Sequence, residues 1–182
     1  EGTSDTGSGE GIIFEYTPPR IGFPGFPFAF PEGGFPGFGN GNNRCGTLKV
    51  IYVSPAAADL ENPDNIVVTP GGGLLLCEDN SGFTPNSAER LVGLTLDGNV
   101  FTFAENNIDF SNSALGPYTR SESGITFTGN RKQNEWAGAT YSYDGEWLFV
   151  NIQTPGVTFA ITGPWQDGPL GAPRRGRFGL PG

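Results

Sequence analysis

Histidine and methionine are both absent from the 182-residue chain, and cysteine occurs only twice. Without imidazole there is no His-based triad, no zincin-type site and no imidazole proton shuttle. Any metal must therefore sit on carboxylate, amide, carbonyl or thiolate ligands. Charged residues make up only 16% of the chain, too few for a soluble helical bundle of the Glu/Lys/Leu type. Positive charge is scarcer still: 10 Lys and Arg against 19 Asp and Glu leave a net charge of -9. That balance argues against nucleic-acid or anionic-membrane partners and suits cation binding. No apolar run reaches the about 18 residues that a membrane span needs, and no basic stretch leading into an apolar one marks a signal peptide. No Asn-x-Ser/Thr sequon occurs. An opening Glu1 and the lack of Met are what a processed product, an excised piece or a sequence read without its start would show.

What is abundant is Gly, Pro and Phe, at 30, 16 and 15 residues, which favours strands and turns. Residues 1–20 read as a flexible lead and a first strand, Ile12-Ile-Phe-Glu-Tyr16, stopped by Pro18-Pro19. Residues 21–43 are a Phe/Pro/Gly-rich segment carrying Phe23, Phe26, Phe28, Phe30, Phe35 and Phe38. One reading is a long irregular surface loop; the other is an adhesive segment whose rings dock on a partner chain. Residues 44–165 hold regularly spaced strands, among them Thr47–Val53, Asn65–Thr69, Gly73–Cys77, Arg90–Leu96, Val100–Ala104, Trp136–Tyr143, Trp147–Ile152 and Val157–Ile161. The turn Asp97-Gly98-Asn99 between alternating runs is a strong hairpin signal, and Asp144-Gly145 repeats it. A polar connection, 105–134, shows little periodicity beyond Gly124–Thr128, and 166–182 is an irregular tail with Arg174, Arg175 and Arg177.

These features predict an all-β fold. The spacing suits a partial β-propeller of about two and a half four-stranded blades, and pattern alone also admits a β-sandwich. Cys45 and Cys77 fit no metal-binding spacing. An exported protein could join them by a disulfide; equally, Cys77 reads as an ordinary buried thiol.

Five ordered motifs are more specific. They are Gly46-Thr-Leu-Lys-Val-Ile-Tyr-Val-Ser-Pro55, Pro63-Asp-Asn-Ile-Val-Val-Thr-Pro70, Gly73-Leu-Leu-Leu-Cys-Glu-Asp79, Glu135–Tyr143 followed by Asp144-Gly145, and Leu148–Trp165. Together they closely resemble the C-terminal part of PhoX-type bacterial alkaline phosphatases. The resemblance implies a β-propeller with calcium and iron at its axis, export from the cell, and hydrolysis of phosphate esters. It places Glu78 and Glu135 where the family presents carboxylates to its metals, with Asp79 and Asn80 as the next candidates, which read more readily as turn formers. Hard cations want such oxygen donors. The upstream blades that supply the family's other ligands and its phosphate-binding Arg have no counterpart in the chain. Arg90 and Arg131 are available cations, but neither sits in a motif that ties it to phosphate.

A wedge of so few blades exposes apolar flanks that something must cover, either another polypeptide carrying further blades or identical copies. Two functions follow. The first is the C-terminal portion of a metal-dependent phosphatase, inactive without further blades. The second is a non-catalytic extracellular assembly subunit derived from the same fold.

Overall fold

The computed structural model describes residues 11–18, 45–55, 59–79, 87–111, 116–119 and 121–170. Its regular structure is all β apart from one 3-10 turn, Trp165–Asp167; no α-helix occurs among the described residues. The Phe-rich segment, Asn80 and the Arg-rich tail lie outside them.

Residues 12–53 form one unit and the rest of the chain another. In the first, β1 (Ile12–Thr17) pairs antiparallel with β2 (Thr47–Val53). Phe14 faces Val50 and Tyr16 faces Leu48, whereas Glu15 faces Lys49 and Thr17 faces Thr47. Side chains alternate across a strand, so the ribbon has one apolar and one polar face. All four apolar residues are exposed.

The larger unit begins with a four-stranded antiparallel meander: β3 (Pro63–Val68), β4 (Leu74–Glu78), β5 (Arg90–Leu94) and β6 (Val100–Glu105). A short ladder, β7 (Tyr118–Thr119) with β8 (Thr126–Phe127), interrupts the polar connection. β9 (Trp136–Tyr141), β10 (Trp147–Ile152) and β11 (Val157–Thr162) then make a three-stranded sheet with β10 in the middle and β11 at one edge. Small antiparallel sheets in series agree with a partial, propeller-like all-β fold.

Burial explains which runs became strands. β4 is a continuous apolar run, Leu-Leu-Leu-Cys, and is buried along its length, as a strand covered on both faces must be. β10 alternates instead: Leu148, Val150 and Ile152 are fully buried, while Trp147 and Phe149 face outward. These residues share one core with Leu75, Leu91, Ile108, Phe110, Trp136 and Leu170. Complete burial of a Leu or Ile side chain is worth about 1.5–3 kcal/mol, so this cluster is the main source of cohesion.

The two sheets meet along their first strands, β9 packing beside β3 and β4. The Gly138 N–H donates to Asn65 Oδ1 across this seam at 3.1 Å. The hairpin turns after β3 and β9 come together at one end, where a Cβ on Gly145 would lie 3.0 Å from Pro70. The start of β3, the end of β4 and the start of β9 consequently gather at the opposite end.

The polar connection is held by a residue that no periodicity reveals. Asn106 is 1% exposed, and its side-chain amide donates to the carbonyls of Arg131 and Asn134, both at 2.8 Å. Its Oδ1 accepts the Ile108 N–H at 3.0 Å, and its own N–H donates to Glu89 O. This network fixes the approach to β9.

Candidate metal centre

Asp64, Asp79 and Glu135 converge at the end of the sheets remote from the hairpin turns, each offering a carboxylate oxygen within 4.8 Å of the others. Each carboxylate is delivered by a different backbone device. β3 and β4 pair Pro63 with Glu78 and Asn65 with Cys77, which leaves Asp64 as the extra residue of a β-bulge. A bulge bends its strand and re-aims the inserted side chain, and proteins use it beside sites for that reason. Asp64 Oδ1 accepts a bond from the Asn65 side-chain amide at 3.0 Å. Asp79 follows the last residue of β4, and its N–H donates to Asn62 O at 3.1 Å. Glu135 precedes β9; its carbonyl accepts the Gln153 N–H at 3.0 Å. The next residue, Trp136, is buried and donates its indole N–H to Glu89 O at 3.0 Å.

The clustered carboxylates raise one another's affinity for a proton. Burial, then the charge of Asp64 and a hydrogen bond shared with it, then the charge of Asp79, push the Glu135 carboxyl up to about 7. Burial, then Asp64, raises Asp79 as well. Carboxylates brought together in this way favour a proton or a cation between them. An all-oxygen donor set suits hard ions such as calcium and magnesium rather than soft ones.

Glu78 sits differently from Glu135. It is 2% exposed and takes a two-pronged bond from Arg90, Nε to Oε2 at 2.7 Å and a terminal guanidinium nitrogen to Oε1 at 2.6 Å. Oε1 also accepts the Glu61 N–H at 2.8 Å. Burial raises the Glu78 carboxyl, against the lowering effect of the Arg90 bond. The cluster holds its neighbour Asp79, read from sequence as a turn former, and the bulge residue Asp64. The clue to Asp64 was the Pro-Asp step opening a strand, since Pro tolerates only a strand's first position or a bulge.

No disulfide joins Cys45, which is exposed, to Cys77, which is buried. Burial pushes the Cys77 thiol up to about 12, with the charges of Asp64 and Glu135 adding to the rise. Arg131 lies over the Phe127 ring, its guanidinium carbon 5.7 Å from the centroid, which gives it a packing role.

Fold and site together define a class: a propeller-like all-β protein with an acidic cluster able to hold a hard cation. Residues 6–156 match the family model described as Alkaline phosphatase PhoX, so the chain belongs to the PhoX alkaline phosphatase family. No curated protein and no solved structure gives a significant match.

Proposed function

We propose that this chain contributes part of the metal centre of a phosphate-ester hydrolase, with Asp64, Asp79 and Glu135 holding a calcium ion. The observation that carries the reading is the convergence of three carboxylates from three separate backbone segments in a chain of this family. Calcium held there supplies charge to stabilise phosphoryl oxygens and to orient the ester. The chain's own residues contribute the carboxylates, the bulge and the anchored Trp136 that position them. Further blades complete the ligand set and supply the phosphate-binding cation. Export is the matching location, because millimolar to submillimolar calcium suits a site with few protein ligands.

Calorimetric titration of the whole chain with calcium at pH 8 tests this. One ion should bind, and Asp64→Asn or Glu135→Gln should each weaken it by about tenfold or more. Equal affinity in the variants, or no binding by the native chain, overturns the reading. With the remaining blades present, turnover of a phosphomonoester should require calcium and be lost in Glu135→Gln.

A second reading, an extracellular assembly subunit, is favoured by the ribbon with Phe14, Tyr16, Leu48 and Val50 exposed on one face. Metal-free homopolymers in native mass spectrometry would support it against the first.

A further inference from the structure

We infer that the buried Glu78–Arg90 pair is a positioning clasp that sets the gap between Asp64 and Asp79, and that Glu78 does not itself ligate the ion. The inference rests on the calcium reading above and adds the residues that hold that site's shape.

The Glu78–Asp79 step is stapled to the 61–64 segment on both sides. From Glu78, Oε1 accepts the Glu61 N–H at 2.8 Å; from Asp79, the N–H donates to Asn62 O at 3.1 Å. From these staples the chain passes through Asn62, at a φ of 41°, to the bulge that presents Asp64. Asn62 is the one described non-glycine residue with positive φ, a conformation that side chains rarely adopt without outside support. The support comes from Glu78, and Glu78 is itself oriented by the Arg90 fork. A planar guanidinium making two parallel bonds fixes both the position and the plane of a carboxylate. Three of the carboxylate's acceptor sites are consumed in this way, so metal ligation would require breaking the clasp.

The fork holds the Arg90 guanidinium on Glu78. That guanidinium is held charged by the Glu78 bond foremost, with Glu61 and Glu105 contributing.

The test is calcium titration of the full chain, with circular dichroism to confirm folding. Glu78→Leu combined with Arg90→Met removes the pair without altering its net charge, and apolar replacement of a buried ion pair is generally tolerated. This variant should still bind one ion, with affinity lower by about 10- to 100-fold. Native affinity in it would overturn the inference, and complete loss of binding would make Glu78 a ligand and overturn it too. Arg90→Lys keeps the charge but cannot form the fork; it should also weaken binding, and it preserves the test if the double variant does not fold. Native affinity in Arg90→Lys would count against the clasp. Failure of the calcium reading looks different: the native chain binds nothing, or Asp79→Asn binds as tightly as the native chain.

Discussion

Glu135 is the residue whose protonation decides what the site can do. Its carboxyl is raised from an ordinary 4.5 to about 7 by burial and by Asp64 and Asp79, so near neutrality it is half protonated. A bound cation must displace that proton. Calcium affinity should therefore climb as pH rises toward about 7 and level off above it, with proton release at pH 6 and little at pH 8.5. Titrations in two buffers of different ionisation heat measure that release; an affinity flat from pH 5.5 to 8.5 would refute the assignment. Without a cation the sign reverses for stability. The native state favours the protonated form, so this group's contribution is present at low pH and is lost as pH rises through about 7. Glu135 was legible from its motif. The choice between Glu78 and Asp79 was not, because β4 is buried on both faces and its unbroken apolar run carries no alternation to say which side a residue takes. Asp64 was hidden for a related reason: a bulge changes the facing of one residue without changing composition.

At the level of strands and turns the sequence was informative wherever burial was one-sided. β10 alternates, and the Asp-Gly turns at 97–98 and 144–145 fall between paired strands, as their composition predicts. The polar connection resisted reading because its order comes from Asn106 and from main-chain bonds such as Arg131 N–H to Ile108 O, neither of which leaves a period. One glycine matters most for the site. Gly138 lies at φ 63° in the irregular stretch of β9 opposite β10, and a Cβ there would stand 3.1 Å from the Asn151 amide nitrogen. Gly138→Ala should lower stability by about 1–2 kcal/mol, the cost of a left-handed conformation for a residue with a Cβ. Urea unfolding with an unchanged slope would report it. No loss of midpoint would mean that the strand relaxes into a regular conformation.

For the larger unit as a whole, the layout puts the hairpin turns after β3 and β9 at one end of the sheet pair and the acidic cluster at the other. The all-β class and the strand order were legible because apolar runs and turn residues recur with regular spacing. The convergence of 64, 79 and 135 was not, since it arises only when β9 docks beside β3 and β4. The two sheets also end differently. The four-stranded sheet stops at β6, whereas the three-stranded one stops at β11, Val-Thr-Phe-Ala-Ile-Thr, a stretch with no charge and no proline. Those are the devices by which edge strands are kept from templating their neighbours. Concentrated preparations of the isolated chain should self-associate through this border. Ala160→Lys should suppress that association in sedimentation velocity; an unaltered distribution would place the contact elsewhere. The uncharged border thus ties the colloidal behaviour of the chain to the composition of a single edge strand.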